Sequence, residues 1–99
     1  MLNITKTVED GKAAFTLKGR LDTITAPELE KELKGSLDGV SELTFDFEGL
    51  DYISSAGLRV LLSTQKIMAR QGEMKISHVN ATIMEIFEVT GFTDILTIE

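Results

Sequence analysis

Ninety-nine residues, 42% apolar and 26% charged, describe one small globular domain long enough to bury a core and fold by itself. A net charge of −6 and a pI near 4.7 argue against a nucleic-acid partner, whose phosphates call for a basic face. They suit either a protein partner with a basic surface or simple solubility. The lack of cysteine excludes disulfide and thiolate chemistry and fits a reduced, cytoplasmic setting. No leader pattern and no membrane-length apolar run is read, so no membrane partner is expected.

Leu2, Ile4 and Val8 alternate with Asn3, Thr5 and Thr7, and Ala13, Phe15 and Leu17 repeat the period of two. Glu9-Asp10-Gly11 lies between them as a turn, so the chain opens on an antiparallel hairpin. Gly19-Arg20-Leu21-Asp22-Thr23 leaves the second strand. Thr25-Ala26-Pro27-Glu28 then has the spacing of a capping box, with Thr25 as N-cap and Glu28 reaching back. Pro27 falls in the first turn, and Ile24 and Leu29 are spaced for a hydrophobic staple. Leu29, Leu33 and Leu37 continue the stripe of this first helix, which Gly35 and Gly39 end.

Leu43, Phe45 and Phe47 alternate with Thr44, Asp46 and Glu48 as a third strand. The stretch Asp51 to Leu62 follows it and passes into a helix that runs to about Arg70. Leu58, Leu61, Leu62 and Met68 mark one face of that helix, with Val60 and Ile67 beside it. Ser54, Ser55 and Gly57 therefore sit at a helix start. Free backbone N–H groups and the helix dipole there suit a serine cap, an anion or a phosphoserine. Position alone favours the ordinary cap for Ser55.

Gln71-Gly72 ends the second helix, and Met74 and Ile76 give a short fourth strand. Asn80 is placed to cap a third helix with Ile83, Ile86 and Phe87 inside. Gly91 fits its left-handed end, and Phe92 is set to fold back on Phe87. Ile95, Leu96 and Ile98 suggest a last strand. The alternation predicts one α/β domain over residues 1–99. Its sheet is mixed and mainly parallel, with about four to five strands and about three to four helices.

Traces of catalysis are few. The one histidine, His78, reads as structural. Ile53-Ser54-Ser55-Ala56-Gly57 lacks the glycine of a nucleophile elbow, and no phosphate-binding glycine loop is present. One histidine is too few for a zinc site. Asp22, Asp46, Glu48 and Asp51 could gather at the strand tips, where a solvated acidic rim is preferred to a site for a hard cation. No catalytic residue, cofactor or metal is expected, and the chain does not read as an enzyme.

Two segments, Gly19 to Leu29 and Leu50 to Leu62, resemble the STAS domain of bacterial anti-sigma factor antagonists, and the resemblance spans essentially the whole chain. It implies a phosphorylation-controlled protein-binding module in transcription regulation. Unphosphorylated, such a domain binds an anti-sigma factor, often itself a serine-protein kinase, and so frees a sigma factor. A PP2C-type phosphatase restores it. The family motif often reads Asp-Ser-Ser/Thr-Gly-Leu. Aligning Gly57-Leu58 with it places the phosphoacceptor at Ser55. Ser54 stands where the aspartate often does, and Ala56 replaces the following Ser/Thr. Ser54 is left as a second acceptor.

The resemblance makes Asp22, Thr23, Asp51, Ser54, Ser55, Ala56, Gly57 and Arg59 the expected partner-contact residues. Gly57 either admits a partner's backbone or lets the helix start pack on the sheet. Ile53 and Leu58 are expected in the core, and Tyr52 half exposed. The alternative within the family is a constitutive scaffold in another signalling or lipid-transport assembly. Strand order and self-association stay open at this point.

Overall fold

Asp10 and Gly11 both take positive φ, 51° and 78°. That pair makes the two-residue turn whose twist matches its flanking strands. It joins β1 (Leu2–Glu9) to β2 (Lys12–Leu21) in the antiparallel hairpin expected from the sequence. The computed structural model describes residues 1–99. Beyond the hairpin come α1 (Ala26–Lys34), β3 (Glu42–Ile53), α2 (Ser55–Gln71), β4 (Glu73–Ser77) and α3 (Ala81–Thr90). A 3₁₀ turn, Phe92–Asp94, leads into β5 (Thr97–Ile98). No helix is long and apolar enough to cross a membrane.

The sheet order is β1-β2-β3-β4-β5, antiparallel at the first pair and parallel at the rest. This is the mixed, mainly parallel sheet that the alternation predicts. Each crossover steps to the next strand in the same direction, so the helices gather on one side. Only one face of the sheet is buried. Phe15 and Leu17 of β2, Phe45 and Phe47 of β3 and Ile76 of β4 are sealed in a single core with Leu29, Leu61 and Phe87 of the three helices. Phe45 stacks obliquely between Phe15 and Phe47, at 5.8 and 5.9 Å between ring centres. The opposite face carries Lys12, Lys18, Thr44 and Glu48 into solvent.

β3 is longer than its alternation suggests. Instead of ending near Phe47 it continues to Ile53, through two register shifts against β2. Each shift adds a residue to β3. The buried positions therefore run Phe47, Leu50, Ile53, three apart, and the period of two is lost while the strand goes on. The bulged end bends and carries Ile53 to the start of α2.

Three sequence expectations at the edges are corrected. Val8, Ile67 and Ile95 are substantially exposed, and Leu62 is half-buried. The last strand is just Thr97–Ile98, because Phe92–Asp94 turns after the helix end. Thr25 stands at the N-cap position of α1 but makes no cap, and Ile24, 83% exposed, makes no staple with Leu29. Thr25 has helical backbone angles, φ −92° and ψ −20°, so its hydroxyl turns away from the helix axis. The turn already begins at Asp22, whose carbonyl accepts from Ala26 N–H at 2.8 Å.

The third helix follows expectation. Asn80 caps it by accepting from Ile83 N–H at 2.9 Å, and its amide donates to Leu50 O on β3 at 2.8 Å. Gly91 closes it at φ 80°, and Phe92 stacks on Phe87 at 6.4 Å. At the far end of α2, Gln71 Nε2 donates to Leu37 O at 2.7 Å and ties the loop after α1 to this helix.

Candidate partner-binding site

Two connections meet at the carboxyl ends of β2 and β3. Ser54 N–H donates to Leu21 O at 2.9 Å, which latches the start of α2 to the loop that precedes α1. Ser54 is the N-cap of α2. Its backbone is extended, its hydroxyl accepts from Gly57 N–H at 3.4 Å, and its carbonyl accepts from Leu58 N–H at 2.9 Å. Ser55 is thus the first helical residue rather than the cap, and it is exposed. The first turn holds no acidic side chain, so the positive end of a seventeen-residue helix stays uncompensated there.

The loop is braced from within. Asp22 Oδ1 accepts from the backbone N–H groups of Ile24 and Thr25, each at 3.0 Å. The Thr25 hydroxyl accepts from Asp22 N–H at 2.9 Å and donates to Arg20 O at 2.8 Å. Thr25 is buried while Thr23 and Ile24 are exposed. A loop fixed at both ends by such bonds presents its tip in one shape.

The Thr25 N–H, ahead of the Ile24 N–H and the Thr25 hydroxyl, holds the Asp22 carboxyl below the ordinary aspartate value, against a cost from partial burial. A carboxyl depressed in the fold stabilises it wherever it is ionised. That contribution is complete above the unfolded value of about 3.9 and is lost as pH falls through the lower folded value. Asp22→Asn therefore lowers the melting temperature at neutral pH, and the gap from wild type closes below a pH of about 4. Thermal unfolding followed by circular dichroism across that range reads it. A gap of the same size at both ends would assign the loss to something other than ionisation.

The expected contact residues divide by exposure. Thr23, Ser55 and Arg59 are exposed and Asp22, Ser54 and Ala56 half-buried around the meeting of the two connections. Asp51 is exposed on the bulged end of β3, and Tyr52 is half-buried as expected. Gly57 is buried. A Cβ there would lie 2.7 Å from Leu21 Cγ and 2.8 Å from Ile53 Cγ1, so of its two readings the packing role has the geometry. Ile53 and Leu58 are in the core.

The acidic rim does not gather as one group. Asp46, Glu48 and His78 have ligand-type atoms within 4.8 Å of one another, while Asp22 is engaged in its own loop. Asp46 Oδ1 accepts from Glu48 N–H at 2.9 Å and lies 3.1 Å from His78 Nδ1, so the pair braces the turn after β4. Arg20 went unnoticed in the sequence. It pairs across the strands with Tyr52, lays its guanidinium 4.4 Å from the ring centre, and puts Nε 3.8 Å from Asp22 Oδ2. Strand parity puts Arg20 on the open face with Lys12 and Lys18, but the register shifts in β3 leave its partner without a signal in the sequence.

Fold and site together define a small two-layer α/β domain with its elaborated end where α2 begins. Residues 3–99 match the STAS domain, and the chain belongs to that family. It is 37% identical over 91 residues to BtrV of Bordetella bronchiseptica, named as a candidate anti-sigma factor antagonist, across 90% of this chain and 78% of that one. It is 33% identical over 97 residues to the anti-sigma-B factor antagonist of Staphylococcus aureus, across 96% and 90%. The anti-sigma factor antagonist SpoIIAA shares the fold in both of its solved forms. The unphosphorylated form matches with a TM-score of 0.76 at 17% identity, over 100% of this chain and 87% of that one. The phosphorylated form, from Bacillus, matches at 0.74 and 17%, over 100% and 91%.

Proposed function

We propose that this domain is an anti-sigma factor antagonist switched by phosphorylation at Ser55. Unphosphorylated, it binds an anti-sigma factor that is also a serine kinase, and so releases a sigma factor in the cytoplasm. A PP2C-type phosphatase reverses the modification. The domain acts by binding, and Asp22, Thr23, Asp51, Ser54, Ser55 and Arg59 face the partner. Ala56 and Gly57 set the height of the helix start beneath them.

One observation carries the reading. Ser55 is exposed at the first position of α2, in a turn without acidic residues, on the segment that aligns with the family's phosphorylated motif. A phosphate there adds about 1.5 to 2 negative charges that helix N–H groups can receive without refolding. A partner seated on Ser55 then meets a new charge and a lost contact. A loss of about 10- to 100-fold in affinity corresponds to about 1.4 to 2.8 kcal/mol.

The test uses wild type and Ser55→Asp as baits in a lysate of the native cell, with captured proteins identified by mass. Aspartate at a first helical position is favourable, so the variant stays folded. A kinase held by the wild type and released by Ser55→Asp is the expected result. The same protein on both baits would make Ser55 structural and the domain a constitutive scaffold of a signalling or lipid-transport assembly.

A further inference from the structure

We propose that Arg59 is the internal counter-ion of a phosphate on Ser55, so that phosphorylation withdraws a cation from the binding face as well as adding negative charge. This rests on the reading of Ser55 as the phosphoacceptor. In that step the γ-phosphoryl group of a nucleoside triphosphate forms a bond to Ser55 Oγ. The bond to the diphosphate leaving group breaks, and the serine hydroxyl gives up its proton.

Ser55 and Arg59 are the first and fifth residues of α2. Four apart on a helix, they share a face with Cβ atoms about 5–6 Å from each other. Both are exposed, whereas Gly57, Leu58 and Val60 between and beside them are buried. The acidic member would stand on the amino-terminal side, the favourable order for such a pair. A guanidinium can also meet two phosphate oxygens at once.

Arg59 is unengaged in the unmodified chain. Five cations have a carboxylate within 4 Å; Arg59, like Lys18, Lys31, Lys66 and Arg70, has none and makes no side-chain hydrogen bond, and of these unpaired five Arg59 is the one in the first two turns of α2. It competes for no acid within its own first turn, since that turn has none. Charges at this end of the sheet include Arg20 and Asp22 before α1, Glu28 in its first turn, Asp51 on β3, and the N-terminal ammonium, which lies near enough to lower the Asp22 carboxyl. Asp46, Glu48 and His78 form a separate group at the turn after β4. Arg20 is held beside Asp22 and Tyr52. Asp22, Glu28 and Asp51 are acidic and would raise the second pKa of a phosphate. The first turn of α3 adds no acidic charge. Within α2 a lowered phosphate pKa has two sources, Arg59 and the helix N–H groups, and replacing the arginine separates them against an unchanged background.

The consequence for regulation is specific. Before modification Arg59 is free for a carboxylate on the partner. After it, the guanidinium folds back over the phosphate one turn away. The partner loses an ion pair and gains a repulsion from one event.

The test takes the full chain with phosphoserine incorporated at position 55 and follows its phosphorus NMR shift against pH. The second phosphate pKa is expected about 0.2 to 0.4 unit lower in the wild-type background than in Arg59→Gln, with Arg59→Lys between. Equal values in the wild-type and Arg59→Gln backgrounds overturn the pairing. Phosphopeptide mapping of the chain from its native cell tests the underlying reading separately. Absence of phosphate on Ser55 there removes the switch, and leaves the titration to decide the chemistry of the pair.

Discussion

Gly72→Ala lowers the melting temperature by about 12 °C or more, or leaves the chain insoluble. The reason is a contact between two backbones. A Cβ at position 72 would lie on the carbonyl of Ser41, nearer to its carbon, at 2.6 Å, than any real Cβ approaches. The obstacle is main chain, so no rotamer relieves it. Ser41 is itself tied down. Its N–H donates to Gly11 O at 2.8 Å, and its carbonyl accepts from Glu73 N–H at 2.9 Å. The entries to β3 and β4 and the hairpin turn are thus strung together at this end. An added methyl must part that string and shift the start of β4, whose Met74 and Ile76 are in the core. Overpacking of a well-filled site costs about 1–3 kcal/mol, and more when backbone must move. At about 4–8 °C for each kcal/mol in a domain of this size, about 3 kcal/mol gives the stated shift. Thermal unfolding followed by circular dichroism measures it. A variant that melts within a degree or two of wild type would show that the strand entries are slack.

A change confined to Ser55 and Arg59 leaves that framework untouched, because both side chains stand in solvent above a core sealed by Leu58 and Leu61. This separation is what a surface switch needs. The two-layer plan supplies it by leaving the helix starts and loop tips at one end of the sheet while the apolar contacts lie beneath. On the proposed function, stability and signalling then depend on different residues, with Gly57 as the place where they touch.

How far the sequence could be read depended on whether each signal was local. Asp10-Gly11, Asn80 and Gly91 act through bonds within a few residues, and the structure places all three as their types suggest. Alternation revealed β2 and the first half of β3 because one face is buried and the other wet. It lost the second half of β3 because the two added residues moved the buried positions to a spacing of three. The capping box at Thr25 was a correct residue pattern overtaken by a neighbour. Asp22 takes the free N–H groups first and begins the turn three residues early. At the site, the family segments marked both connections, yet nothing in them told which serine would cap. The bond from Ser54 to Leu21 decides that, and it joins residues far apart in the chain. Arg20 on Tyr52 and Gly72 under Ser41 are likewise long-range contacts with no local signature.

Gly57→Ala tests the junction of site and core. Two effects oppose. Alanine is the better helix former by about 1 kcal/mol in a helix interior, and by less in a first turn. Against that, its Cβ would stand 2.7 Å from Leu21 Cγ and 2.8 Å from Ile53 Cγ1. Neither atom is the free end of a flexible side chain, and Leu21 and Ile53 are 0% and 1% exposed. Relief requires the start of α2 to lift from the tips of β2 and β3, at about 1–3 kcal/mol. The clash outweighs the propensity, and a net loss of about 1–2 kcal/mol lowers the melting temperature by about 4–16 °C. Lifting the helix also stretches the bond from Ser54 N–H to Leu21 O, by which the loop and the helix start are held as one surface. Partner affinity should therefore fall in Gly57→Ala even at temperatures where the variant is fully folded, although Gly57 itself is buried. Amide exchange at Ser54 reads the latch directly, and faster exchange there than in wild type is the expected result. A variant that is less stable but keeps the Ser54 amide as protected as wild type would mean that the strain is absorbed in the core, and that the site rides on it unchanged.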